Sequence, residues 1–384
     1  MCLAVPLKII EVNGKTAVAE AMGVSREIRV DFIPEPKLGD YVIVHAGFAI
    51  ERLPESRWMI SPHGRSLKMP SDKAAVSRII EKMAALPLGE TRIMEVCGTH
   101  TMAIAKSGIR SMLPGNIRLL SGPGCPVCVT PAAVIDAVLE LAMRPNVIIT
   151  SYGDMLRVPG STPGDSLQRR RALGARVEIV YSPIDAIDIA ERNPEKEVVF
   201  LGVGFETTAP GTAAAVLTAR DAGVKNFSVW SMLKTVEPAL RALMRTEDFN
   251  IQGFLCPGHV ATIIGERGFE FLPRDCHMPA VISGFEPEDI LTAVYLLLKQ
   301  IADGEPRIEN EYKRAVAPDG NPLAQKIINE CFVPRRDLWR GLGAIDASGL
   351  ALRDELAEFD AEKKFAVEYG EGNSILKTGM SRYA

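Results

Sequence analysis

No apolar run in these 384 residues approaches the roughly 18 to 20 that a membrane-crossing helix needs. The opening residues, Met1-Cys2-Leu3-Ala4-Val5-Pro6, lack the basic segment followed by an apolar one that marks a secretory leader. Neither a signal peptide nor a membrane anchor is expected, and the cytoplasm is the expected location. Charge of one sign is not in excess: the formal net charge is -4, with 24% charged and 47% hydrophobic residues, which makes nucleic acid a poor candidate partner. The Gly-rich turns complete neither the G-x-x-x-x-G-K-[ST] phosphate loop nor the G-x-G-x-x-G dinucleotide fingerprint, so no nucleotide is inferred. The seven cysteines are odd in number and scattered, which excludes a small secreted disulfide framework and suits a reducing compartment.

The length calls for two or three domains. Residues 1–55 have the β-branched alternation of short strands, at Thr16 to Ala21, Arg26 to Ile33 and Tyr41 to Ile50, with a hairpin signal at Asn13-Gly14. They predict a small, OB-like β-barrel. Residues 56–90 read as a Pro-rich linker, Pro54 to Pro70, and then a helix opened by Ser71-Asp72. From Arg92 onward short apolar runs alternate with helical periods, which predicts an α/β region of two αβα units with parallel sheets, at 91–192 and 193–302. Residues 303–384 predict a helical extension, with helices near Pro322 to Cys331 and Leu350 to Glu368. An internal echo, Gly204-Phe205-Glu206 and Gly284-Phe285-Glu286, follows an apolar strand in each case.

Ligands collect at the carboxyl ends of parallel strands. Five unusual loops are expected on such an edge: Cys97 to Thr101, Gly122 to Cys128, Tyr152-Gly153-Asp154, Gly204 to Pro210 and Pro257-Gly258-His259. Cys125 and Cys128, in Gly-Pro-Gly-Cys-Pro-Val-Cys before a helix expected near Thr130, have the spacing of a dithiol and disulfide couple or of a soft-metal pair. Cys97 and His100, three residues apart in Cys-Gly-Thr-His-Thr with Thr99 between them, offer a soft ligand and a proton carrier. A structural zinc site would want four ligands with paired short spacings, and only Cys125 and Cys128 are so paired. His259 follows a strand at the same edge and stands evenly between function and a core role. Glu206 either binds a ligand or caps a nearby helix, and Asp154 either does the same or holds Arg157. Cys256, Cys276 and Cys331 read as passive.

These motifs resemble two hydrogenase-maturation families joined head to tail. Met1 to Pro6 with Val44-His45-Ala46-Gly47-Phe48-Ala49 resembles HypC. Cys97 to Thr101, Gly122 to Cys128, Gly153 to Gly160, Gly204 to Pro210 and Pro257-Gly258-His259 resemble HypD, and the likeness runs from residue 1 to about 365. It implies a scaffold on which the Fe(CN)2(CO) group of a NiFe-hydrogenase is assembled. Cys2 and Cys97 would hold the iron, Cys125 and Cys128 would supply thiol redox chemistry, and His45 and His100 would lie near the metal. Implied partners are a HypE-like cyanide donor and the hydrogenase large subunit. HypD proteins resembled here end in a cysteine-rich segment for a four-iron four-sulfur cluster. This sequence has no cysteine after Cys331, so no such cluster is expected in this chain, and a separate thiol reductant becomes an expected partner. The competing readings are a thiol-disulfide oxidoreductase in which Cys125 and Cys128 work alone, and a non-redox carrier or adaptor in metal-cofactor assembly.

Overall fold

The structure is a computed structural model and describes residues 5–21, 23–53 and 73–366. The expectations for Cys2, for the linker Pro54 to Pro70 and for a helix start at Ser71-Asp72 lie outside the described residues.

Five strands, β1 (Val5–Asn13), β2 (Thr16–Ala21), β3 (Val24–Arg29), β4 (Tyr41–His45) and β5 (Phe48–Leu53), close a barrel in the order β1-β2-β3-β5-β4. The small barrel is as expected; two of its details are not. β1 escapes a strand reading because it carries Pro6, which cannot donate to a ladder. The run Tyr41 to Ile50 is two strands, because Ala46 and Gly47 both take positive φ (50° and 81°) and turn the chain into a tight hairpin. Ile9, Ile28, Val42, Val44 and Ala49 fill the barrel interior.

The α/β region contributes β6 (Thr91–Glu95), β7 (Ile117–Ser121), β8 (Val147–Ser151), β9 (Arg176–Ile179), β10 (Glu197–Gly204), β11 (Phe227–Leu233), β12 (Gly253–Pro257), β13 (Ala280–Ser283) and β14 (Ile308–Asn310). They form two parallel sheets, β14-β13-β12-β6-β7 and β11-β10-β8-β9. Both are faced by helices such as Ala132–Ala142, Ala209–Ala222 and Pro287–Asp303. The strands are near-continuous apolar runs, as sheets covered on both faces require.

The expected division at 192/193 does not hold. Among the described residues, one compact unit comprises those up to 125 and 246–323, including the barrel and the five-stranded sheet; the other comprises 126–245 and 324–366 around the four-stranded sheet. The cause is pairing: β6 takes β12 as a neighbour and β8 takes β10, and apolar runs alone carry no register information. In the first unit Asn321 ties the barrel down, its Nδ2 donating to the carbonyls of Phe32 (2.9 Å) and Ile50 (3.1 Å).

The extension after residue 303 is not all helical. The helix Pro322–Cys331 is present and leads into an antiparallel hairpin, β15 (Phe332–Trp339) and β16 (Gly343–Leu352); the single helix expected over Leu350 to Glu368 is broken into the end of β16, a 3-10 helix, Asp354–Phe359, and a short helix, Ala361–Phe365, with 367–368 outside the described residues. Short apolar runs suit strand and helix alike, and the turn glycines decide between them. No helix among the described residues is long and apolar enough to cross a membrane.

Candidate functional site

In the first unit, four loops leave the carboxyl ends of β6, β7, β12 and β13. β6 ends at Glu95, and Cys97 follows as the N-cap of the helix Gly98–Ser107, in extended conformation and buried. Glu95, which sequence reasoning missed, fixes this turn. Its Oε2 accepts from the Cys97 N–H (3.2 Å), its Oε1 from the Thr101 hydroxyl (2.5 Å), and its main-chain carbonyl from the Gly122 N–H (2.7 Å). The residue is fully buried, and burial raises its carboxyl above the ordinary range. A buried carboxylate two residues before a thiol, in Glu-x-Cys, was the available signal.

The turn after β7 is pressed against Cys97. Gly98 N–H donates to the Gly124 carbonyl (3.1 Å), and a Cβ on Gly124 would lie 2.2 Å from the Cys97 nitrogen. Only glycine permits that approach. Cys125 follows at once and is disulfide-bonded to Cys128. Cys97 carries a thiol rather than a disulfide.

His100 and His259 meet around one ring. The Phe285 ring stacks on His259 (centroids 3.8 Å) and on His100 (4.6 Å). His100 Nε2 is 2.9 Å from the Gly284 carbonyl, which can only accept, so Nε2 carries the proton and Nδ1 is the acceptor. Among the described residues Nδ1 has no hydrogen-bond partner. Burial pushes the His100 pKa down to about 4; burial, with neighbouring His45 and His100, holds His259 well below its ordinary value. Both are neutral at pH 7. His45, at the end of β4, is buried. Gly284 is held on its other side by Glu311, whose carboxylate accepts its N–H (3.2 Å). Thr99 lies half-buried in the first turn of the Cys97 helix.

The other unit holds the remaining expected residues. The five loops therefore do not line a single sheet edge: Tyr152 to Asp154 and Gly204 to Pro210 leave β8 and β10 of the four-stranded sheet. Cys128 lies in a four-residue helix, Pro126–Val129, that starts earlier than the helix expected near Thr130, and Cys128 is exposed. Glu206 is buried and does cap a helix, though not the adjacent one: its Oε1 accepts from the Val236 N–H (2.8 Å), at the start of Val236–Leu243. Burial raises its carboxyl to about 7. Its Oε2 has no partner among the described residues. Asp154 is exposed ahead of a single 3-10 turn, Met155–Arg157.

The echoed tripeptides diverge in use, with Phe205 beside Trp339 (6.0 Å) and Glu286 exposed as the N-cap of Pro287–Asp303. Cys256 and Cys331 are buried and burial pushes both thiols up, Cys331 to about 12; Cys276 is half-buried at a helix end. Among the described residues no group of three or more His, Cys, Asp or Glu side chains is arranged to hold a metal ion. Of the two iron ligands expected from the sequence, Cys97 is a buried cysteine outside any disulfide, and Cys2 is outside the described residues.

A small closed barrel and two parallel sheets, with cysteines and buried histidines on strand-end loops, define the class: a β-barrel joined in one chain to an α/β protein. The chain belongs to the HypD family: the family described as "Hydrogenase formation hypA family" matches residues 73–378, and the HupF/HypC family matches residues 1–60. The chain is similar to "Hydrogenase maturation factor HypD" of Azotobacter vinelandii, 44% identical over 309 residues that cover 78% of this chain and 81% of that protein. It is likewise similar to the protein of the same name from Escherichia coli (strain K12), 46% identical over 275 residues, 71% of this chain and 73% of the other. The "Hydrogenase expression/formation protein HupD" of Azotobacter chroococcum is 43% identical over 305 residues, 77% and 80% of the two chains. HypC-like and HypD-like regions thus lie in one polypeptide.

Proposed function

We propose that this chain is a hydrogenase maturation factor of the cytoplasm, a scaffold on which Fe(CN)2(CO) is assembled as cargo before delivery to a NiFe-hydrogenase large subunit. Cys2 and Cys97 hold the iron as thiolates, which are strong donors to Fe(II) and leave coordination positions open for diatomic ligands. The observation that supports the reading is the contact of the Cys97 turn with the Gly124 backbone: the main chain that carries Cys97 packs against the turn that opens the Cys125–Cys128 pair.

Cyanide arrives on the sulfur of a HypE-like donor. Its release is reductive: Cys125 and Cys128 supply two electrons, the donor's S–C bond breaks, cyanide goes to iron, and the donor's sulfur leaves as a thiol with one of the two dithiol protons. The second proton goes to solvent and the Cys125–Cys128 disulfide forms. An external thiol reductant reopens it. His100, neutral with an acceptor Nδ1, receives hydrogen bonds near Cys97, His259 stacks with it around the Phe285 ring, and His45 lies buried at the end of β4. Thr99, Asp154 and Glu206 contribute polar groups on strand-end loops.

Infrared spectroscopy of anaerobically purified chain tests this. Bands for metal-bound cyanide and carbon monoxide, lost on transfer to apo-large subunit, are the expected result. Iron-free protein with full disulfide-exchange activity would support the oxidoreductase reading instead.

A further inference from the structure

The tip of the β15–β16 hairpin touches the end of the Cys-Pro-Val-Cys helix. Gly341 and Gly343 take positive φ (85° and 78°), and Leu342 N–H donates to the Trp339 carbonyl (3.2 Å), closing the turn. Trp339 anchors it, buried, with its Nε1 donating to Ser348 Oγ (2.8 Å). Arg340 is next in sequence. Its main-chain N–H donates to the Val129 carbonyl (2.7 Å) and its Nε to the Thr130 carbonyl (2.9 Å). Both acceptors belong to the two residues directly after Cys128. Arg340 Nη2 is buried and has no hydrogen-bond partner among the described residues.

Cys128 is exposed and Cys125 half-buried, so Cys128 is the sulfur an incoming thiol meets first. The carbonyl end of a helix is partially negative and disfavours a neighbouring thiolate. A guanidinium docked on those carbonyls reverses the local field, and a cation beside a cysteine favours its ionised form. Arginine is charged at any working pH.

We propose that Arg340 poises Cys128 as the nucleophilic sulfur of the pair, keeping it a thiolate once the disulfide is open. This rests on the reading of Cys125 and Cys128 as a redox pair. A dithiol reductant's thiolate bonds to the Cys128 sulfur, the S–S bond breaks, and Cys125 leaves with the electron pair and takes a proton. The reductant's second sulfur displaces Cys128 and closes the reductant's own disulfide. Two electrons and one proton enter the protein, and the other proton is released. Arg340 is a positioning residue here, acting through Cys128.

The test uses the full chain, reduced with dithiothreitol, as wild type, Arg340→Gln and Arg340→Lys. Iodoacetamide alkylation of each cysteine is followed against pH by peptide mass spectrometry, and the disulfide equilibrium is measured against dithiothreitol. Wild type is expected to alkylate at Cys128 before Cys125. Arg340→Gln is expected to lose about tenfold in rate at pH 7 but nothing at high pH, and to shift the equilibrium about tenfold toward disulfide, about 30 mV. Arg340→Lys is expected to retain most of both. Earlier alkylation of Cys125, an unchanged profile in Arg340→Gln, or a Lys variant matching the Gln variant overturns the proposal. If the Gln variant does not fold, wild type decides: near pH 7, where dithiothreitol keeps both of its protons, one ionised sulfur shifts the equilibrium about tenfold per pH unit toward the reduced chain, and a pH-independent equilibrium overturns the claim. None of these readouts needs iron or a hydrogenase, so a failure here leaves the maturation reading standing, and the converse.

Discussion

Glu95 shows how much of a site is carried by a residue that touches no ligand. Its carboxylate takes the Cys97 N–H and the Thr101 hydroxyl, and its backbone takes Gly122, so one buried residue ties both thiol-bearing turns to the end of β6. Glu95→Ala leaves the buried Cys97 N–H without its acceptor and the Thr101 hydroxyl with only the Cys97 carbonyl at 3.4 Å, at a cost of about 1–3 kcal/mol. Urea unfolding of Glu95→Ala should show a loss of that size, with Glu95→Gln, which keeps one acceptor oxygen, losing less. His100 makes a prediction in pH. Its folded pKa near 4 lies below the unfolded value of about 6.5, so the unfolded chain binds more protons between those values and acidification destabilises the fold. Removing it in His100→Asn should flatten the fall of stability between pH 6.5 and 4 by up to about 1.4 kcal/mol per pH unit relative to wild type. The comparison with wild type matters because Glu206, raised to about 7, pulls the other way: its folded form holds a proton the unfolded form has lost. The strand-end positions of Cys97, His100, Cys125, Cys128 and His259 were legible in the sequence because Cys, His, Gly and Pro cluster where apolar runs stop. Glu95, Phe285 and Arg340 were not, because their importance lies in contacts across the fold rather than in local spacing.

At the scale of elements, the sequence located the barrel and nearly every strand of the parallel sheets, since each strand is a short apolar run bounded by turn residues. It failed where pattern carries no partner. The hairpin β15–β16 falls almost wholly between the two helices expected near Pro322 to Cys331 and Leu350 to Glu368, where no element was expected; its strand character comes from the glycine turn at its tip and from burial of Phe332, Trp339 and Leu352. Trp339 is the pivot of this element, packed 6.0 Å from Phe205 and bonded to Ser348. Trp339→Ala should cost about 3–5 kcal/mol, the range for a large buried aromatic, read as a lowered midpoint in guanidinium unfolding. A loss under about 1 kcal/mol would mean that the hairpin contributes little to its unit.

At the scale of the molecule, the β6 and β12 pairing returns the chain to its first sheet after a complete second sheet has been built, so each unit is drawn from two separated stretches. Sequence reading cut the α/β region into consecutive blocks because neighbouring strands usually pair, and here β7 to β8 and β11 to β12 are changes of sheet. Under the proposed function, covalent union of the HypC-like and HypD-like regions would replace a bimolecular encounter by an intramolecular one and raise the effective concentration of Cys2 near Cys97. That union is what the proposed iron site depends on. It is tested most directly by the iron-to-protein ratio of the full chain, purified anaerobically from iron-replete cells as wild type, Cys97→Ala and Cys2→Ala. The expected result is stoichiometric iron in wild type and essentially none in either folded variant; equal iron in wild type and Cys97→Ala would contradict the assignment.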